Sequence, residues 1–167
     1  MLSFKKVVLP VLALLFVLLV VSCKKPNPTY EPSFYRFKIN QISLTAIPMT
    51  DAGGSSWDLG ISGYQYPDVY MNVEDSAGNL LQDGTADVRN DLQLSALPIV
   101  YNLTTPIQME DLSKTSYFTV YDDDSPLSAN DLIGKVALKL ADYKIGYPTS
   151  ITLSSSGVAF VINGVWY

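Results

Sequence analysis

From about residue 34 to its end, the chain runs in short segments that alternate apolar and polar positions and are separated by turn residues. FYRFKINQISLTAI (34–47) sets Phe37, Ile39, Ile42, Leu44 and Ala46 against polar neighbours, although the alternation is imperfect. DVYMNV (68–73) follows, SAGN turns the chain, and a weaker polar strand is expected around 84–90. VYNLTTPIQM (100–109), SYFTVYD (116–122), IGKVALKL (133–140), TSITL (149–153) and VAFVINGVWY (158–167) complete eight. Period-two alternation bounded by Gly, Pro, Asn, Asp and Ser is the signature of half-buried strands. No segment repeats its apolar positions at helical spacing. Eight short strands joined by loops of uneven length predict an all-β domain, an antiparallel Greek-key β-sandwich. The longest connection, roughly 48–67, is rich in Gly, Ser, Asp and Tyr, and structureless loops of that length usually carry function.

The first 33 residues follow a different pattern. Lys5 and Lys6 precede an apolar run, VVLPVLALLFVLLVV, which ends on Val20-Val21-Ser22-Cys23. A basic start, an apolar stretch and a small residue at the cleavage point make a secretory signal. The small residue before Cys23 resembles the lipobox of bacterial lipoproteins, in which the cysteine is acylated and becomes the new N-terminus. A plain membrane anchor is the alternative, since the run approaches the ~18 apolar residues of a bilayer span. Cys23 is the only cysteine, so no disulfide can brace the fold within the chain. Residues 24–33, KKPNPTYEPS, hold three prolines and read as an extended tether. The expected organisation is a signal peptide at 1–22, a lipidated cysteine and tether at 23–33, and one domain at 34–167. The expected location is the bacterial cell envelope, on the periplasmic or surface face of the outer membrane.

Charge narrows the function. Residues 34–167 carry seven Lys and Arg against fifteen Asp and Glu, a net charge of −8. Nucleic acid is excluded as a partner, because phosphate contacts demand clustered cations. The chain has no histidine, which removes the usual general base, the Ser-His and Cys-His nucleophile pairs, and imidazole metal ligands. An enzyme is not expected.

The acidic residues are concentrated in YDDDSPLSANDLIG (121–134), where Asp122, Asp123 and Asp124 adjoin, Asp131 follows, and no Lys or Arg stands between Lys114 and Lys135. Packed like charges repel, and burial raises their pKa values. Water compensates them if the loop is solvated; a hard cation such as Ca2+, with six to eight oxygen ligands, does so better.

The order PDVYMNV, then LPIVYN, then YFTVYDDDSPLSANDLIGKVAL resembles the C-two domain, a calcium- and lipid-binding β-sandwich, across essentially all of 34–167. Val69 stands where the family often has Pro, Tyr101 where it has Trp, and the third loop is one residue longer than usual. A first strand that leads straight into the long loop resembles the circularly permuted, phospholipase-like topology of that fold. The resemblance implies an ion site where the first and third loops meet. Its ligands would be Asp68, the Asp122 and Asp124 pair, and Asp131, with Asp58 as the remaining first-loop ligand and Asp51 as the alternative. Asp122 and Asp124, two apart where a strand runs out, can turn toward one ion while Asp123 points elsewhere. Asp75, Asp83, Asp87 and Asp91 read as surface charges of turns and an exposed strand. Trp57, Tyr64, Tyr66 and Leu127 either pack within the loops or form a contacting rim.

The resulting expectation is a lipid-anchored envelope protein, held to the membrane through Cys23. Its domain binds Ca2+ and, through the ion, an anionic or lipid surface or a protein partner. The alternative is an ion-independent structural or protein-interaction module of a surface complex. The phosphoinositide-binding basic groove of some C-two domains is not evident, with Arg89 nearly alone.

Overall fold

Strands form where the sequence alternates, and the places where alternation fails mark the bends. The computed structural model describes residues 33–58, 66–126 and 129–167. The signal segment, Cys23, the tether up to residue 32, Tyr64 and Leu127 lie outside the described residues. In chain order the strands are β1 (Phe37–Ala46), β2 (Val69–Glu74), β3 (Leu80–Gln82), β4 (Ile99–Met109), β5 (Thr115–Asp122), β6 (Asp131–Lys139), β7 (Ser150–Ser155) and β8 (Val158–Trp166). They make two four-stranded sheets, ordered β4-β1-β8-β7 and β3-β2-β5-β6, with every strand pair antiparallel. This is the expected eight-stranded sandwich. Among the described residues helix is limited to two short 3-10 turns, Leu94–Ala96 and Leu140–Tyr143.

The irregular spacing in β1 has a structural cause. Phe37 and Ile39 keep period two, the next apolar pair is Ile42 and Leu44, and the register of β1 shifts between Ile39 and Gln41 against both β4 and β8. A bulge takes up one extra residue and returns the later side chains to the same face. All four apolar residues are therefore fully buried. They meet the inward rows of the opposite sheet, where Phe118 of β5 lies 5.6 Å from Phe160 of β8, centroid to centroid. At Gly164 of β8 a Cβ would collide with the Lys38 carbonyl and the Phe37 ring, so only glycine lets β8 lie this close to β1.

One strand differs from expectation. The predicted strand at 84–90 is absent; its place beside β2 is taken first by Leu80–Gln82 and then by an irregular return. That return touches β2 again through a single bridge, in which Val69 and Arg89 exchange backbone hydrogen bonds of 2.9 and 2.8 Å. Gly84 sits between, its amide donating to Asn72 Oδ1 at 2.9 Å, and a Cβ there would run into the Met71 carbonyl. The close approach that Gly84 permits is incompatible with a regular ladder.

β1 and β8 are neighbours, and Arg36 and Tyr167 exchange backbone hydrogen bonds of 3.2 and 3.1 Å. Both ends of the domain thus emerge at one end of the sandwich. The end of β1, the start of β2 and the end of β5 lie at the other.

Candidate metal centre

β5 builds the centre as a by-product of strand periodicity. Ser116, Phe118, Val120 and Asp122 are alternate residues on one face, and the first three are buried toward the core. Asp122 continues that row, so a carboxylate occupies the position where the core-facing row reaches the sandwich end, with 0% of its surface exposed. Its Oδ1 accepts the Asp68 backbone N–H at 2.7 Å, whereas Oδ2 is buried without a hydrogen-bond partner. An orphaned carboxylate oxygen costs free energy unless a proton or a cation joins it.

Four further acidic residues converge there. Ligand oxygens of Asp58, Asp122 and Asp124 lie within 4.8 Å of one another, and so do those of Asp58, Asp68 and Asp91. Asp68 stands just before β2, and its backbone carbonyl receives the Asp123 N–H at 2.7 Å, which ties the third loop to the start of β2. Asn130 Nδ2 donates to the Tyr70 hydroxyl at 2.9 Å, tying the loop's far limb to the same strand. Asp123 itself turns away, its carboxylate accepting Ser125 N–H at 3.3 Å.

Burial and mutual repulsion act together on these groups. Desolvation pushes Asp122 up to about 7, with Asp58, Asp124 and Asp68 adding to the rise and the Asp68 N–H opposing it. Asp58 is also raised, first by desolvation and then by Asp68, Asp124 and Asp91. Asp124 is raised by desolvation, then by Asp131 and Asp123. Such a set binds protons or a divalent cation, and all of its donors are hard oxygens of the type Ca2+ prefers. No cation balances it from the protein side: the salt bridges among the described residues are Arg36–Glu110, Arg89–Asp87 and Lys135–Glu74.

The expected ligands are thus placed unequally. Asp58, Asp68, Asp122 and Asp124 come together. Asp131, the first residue of β6, faces Asp122 across the ladder but is exposed and belongs to neither close group, although its charge acts on Asp124. Asp51 is also outside both groups: its Oδ1 accepts the Gly53 and Ser55 N–H groups, each at 2.8 Å, and so closes its own turn.

Asp91 was expected on the surface, and the structure corrects this. It sits in the left-handed region (φ 51°), where its N–H donates to Asp68 Oδ1 at 2.6 Å and its own Oδ1 is buried without a partner. The sole signal in the sequence is the Asn90-Asp91 pair, both residue types that tolerate this conformation. Of the expected rim, Trp57 packs inward with Nε1 donating to the Pro48 carbonyl at 2.9 Å, and Tyr66 remains partly exposed.

No family model and no curated protein matches the chain. Among solved structures it is similar to human GIVD cytosolic phospholipase A2 in complex with methyl gamma-linolenyl fluorophosphonate, at 14% identity and TM-score 0.47, over 80% of this chain and 17% of that one. It is similar to the two C-two domains of extended-synaptotagmin 2 at 13% identity and TM-score 0.47, over 86% of this chain and 44% of that one. It is also similar to the RIM C-two domain from Drosophila at 16% identity and TM-score 0.32, over 81% of this chain and 98% of that one. The chain thus spans less than half the length of the first two.

Proposed function

We propose that this protein is a calcium-binding module of the bacterial envelope, lipid-anchored through Cys23, which uses the bound ion to engage an anionic lipid surface or a protein partner. Asp58, Asp68, Asp122 and Asp124 would hold the ion, with Asp91 adding a carboxylate from the return after β3. The ion would supply a positive centre in place of repelling carboxylates and leave coordination positions open to a phosphate or carboxylate of the partner. The observation that carries this reading is Asp122: a fully buried carboxylate with one oxygen unpartnered, facing other acids and no cation. A solvated acidic loop would not place its first aspartate in the core-facing row of a strand.

Strand order supports the permuted form of the C-two-like fold, since β1 leads into the long connection at 48–67 and β8 lies beside β1. Lipid anchoring rests on the sequence alone, on Ser22-Cys23 at the end of an apolar signal. Mass spectrometry of membrane-extracted protein should show acylated Cys23, and Cys23→Ser should release or mislocalise it.

The test of the site is calorimetry of the full chain in detergent, titrated with Ca2+ and then with Mg2+. Saturable Ca2+ binding that Asp122→Asn removes is expected. Mg2+ should bind more weakly because it demands a small octahedral shell and gives up water reluctantly. Absence of calcium binding in the wild type would leave the ion-independent interaction module as the reading.

A further inference from the structure

The two ends of the sandwich differ in charge. At the end opposite the acidic cluster, the β4–β5 and β6–β7 connections and the chain's entry at Phe34 come together. The Ala141 N–H donates to the Leu112 carbonyl at 2.8 Å, and the Tyr147 ring lies 4.9 Å from that of Phe34 and 5.3 Å from that of Trp166. Five of the domain's seven basic residues stand at this base: Arg36 and Lys38 at the start of β1, Lys114 before β5, Lys139 at the end of β6, and Lys144 in the turn that follows. Four acids accompany them, Asp75, Glu110, Asp111 and Asp142. The base thus carries a charge of +1, while the rest of the domain carries −9. The two remaining cations are paired with acids, Arg89 with Asp87 and Lys135 with Glu74. At the base Arg36 lies 3.9 Å from Glu110, whereas Lys114, Lys139 and Lys144 are exposed and have no ion pair among the described residues.

Apolar groups mark the same end. Ile145 is 95% exposed, at the tip of the turn between η-type residues Leu140–Tyr143 and β7. Gly146 and Tyr147, which follow it, have φ of 80° and 45°. The Tyr147 ring sits between Phe34 and Trp166, and the Trp166 indole N–H donates to the Pro148 carbonyl at 2.8 Å, so the turn is fixed from behind and Ile145 is held out into solvent. Tyr35 and Tyr167 are exposed there too, joined by a 3.3 Å backbone hydrogen bond, with Lys38 Nζ 5.8 Å from the centre of the Tyr167 ring. One exposed apolar residue needs no explanation. An aliphatic tip beside unpaired lysines and amphipathic tyrosines is the composition of a surface that meets a bilayer at the headgroups.

Two features select an anionic bilayer as the occupant. Phosphate-bearing lipid would be repelled by the acidic remainder of the domain and attracted by the lysines of the base. The sequence that joins the domain at Phe34 carries Lys24, Lys25 and the apolar run at 7–21, so any membrane-inserted segment is covalently attached at this end. A patch this small binds lipid weakly alone, but a second attachment on the same chain makes the encounter intramolecular and its effective concentration high.

We propose that the base of the domain docks onto an anionic bilayer, with Ile145 entering the interface and Lys114, Lys139 and Lys144 meeting lipid phosphates. The contact needs neither calcium nor acylation of Cys23, and so stands apart from the function proposed above.

Spin-label accessibility tests this on the full-length chain carrying Cys23→Ser, in vesicles rich in phosphatidylglycerol and with chelator present. A nitroxide on Ile145→Cys should lose access to a water-soluble nickel complex by roughly fivefold or more and gain access to oxygen, as a group entering the interface does. A nitroxide on Ala52→Cys, beyond the far end of β1, should remain open to nickel. Phosphatidylcholine vesicles, or about 1 M salt, where the Debye length is near 3 Å, should return the label at 145 to water. So should the combination of Lys114→Glu, Lys139→Glu and Lys144→Glu, with an unchanged melting temperature because none of the three is ion-paired. A label at 145 that stays open to nickel in anionic vesicles would overturn the proposal and leave the patch to a protein partner. Immersion at 52 equal to that at 145, or immersion at 145 that persists in phosphatidylcholine and in the triple variant, would overturn it as well.

Discussion

Asp68 and Asp122, 54 residues apart, are joined by a 2.7 Å hydrogen bond from the backbone N–H of the first to Oδ1 of the second. The Asp123 N–H returns another of 2.7 Å to the Asp68 carbonyl. These bonds hold two acidic residues together and make the end of β5 and the start of β2 one rigid unit. Their carboxylates are held near one another by geometry, not by mutual attraction. Occupancy by a cation should therefore be read out as stability.

Calcium should raise the melting temperature, contributing about 2.7 kcal/mol at a hundredfold excess over Kd. Asp122→Asn should abolish most of that rise. In chelator at neutral pH the same variant should melt no lower than wild type, because it keeps the shape while removing a buried charge. Asp83→Asn, outside the cluster, should leave the calcium response intact. Thermal melts of the three proteins with and without Ca2+ check this, and identical wild-type melts would sink the ion site.

The first-loop ligand is settled by a paired comparison. Asp58→Asn should weaken calcium binding by tenfold or more, about 1.4 kcal/mol. Asp51→Asn should leave affinity within twofold, because Asp51 serves the Gly53 and Ser55 amides of its own turn. Calorimetric Kd values for both variants decide it, and the reverse ranking would move the site toward Asp51.

Ion-free stability should fall as pH rises from about 4 to about 7. Asp122, Asp58 and Asp124 all have folded-state pKa values above the 3.8 of a free aspartate, Asp122 at about 7. The folded state then binds more protons than the unfolded state across that window, which makes the slope of stability against pH negative. Saturating calcium should flatten or reverse the slope, because the ion replaces the proton. Asp122→Asn should flatten it in chelator. Melting temperatures at steps between pH 4 and 8 give the sign directly, and an ion-free stability that climbs through this window would contradict the burial of Asp122.

Gly84→Ala should cost about 2–3 kcal/mol, since the new Cβ collides with the Met71 backbone carbonyl and the chain must move. The displaced segment leads to Arg89 and Asp91, so calcium affinity should fall along with the denaturation midpoint. Urea unfolding and calorimetry on one sample test both, and wild-type values in each would refute the close approach of this segment to β2.

Much of the fold could be read from single residues in the chain, and the failures are local. Period-two rows located seven strands within a few residues because each has an apolar face to bury. The eighth failed because Leu80 and Leu81 are largely exposed on a three-residue edge strand, leaving no buried face to produce alternation. Asp122 and Asp124 were legible because a strand ending in acids is unusual within a short window. Asp91 was not: its place depends on the left-handed turn and the Gly84 crossing, which bring it to Asp68 over 23 residues of irregular chain. Asp51 and Asp58 are alike by residue type and separate only because one closes an Asx turn.

The hydrogen-bonded meeting of Arg36 and Tyr167 puts the chain's point of entry into the domain at the end remote from the acids. β1 is ten residues long, so the two ends are separated by about 34 Å at ~3.4 Å per residue. A group attached at Phe34 or Tyr167 therefore stands about one strand length from Asp122 and Asp68, and leaves the approach to them open.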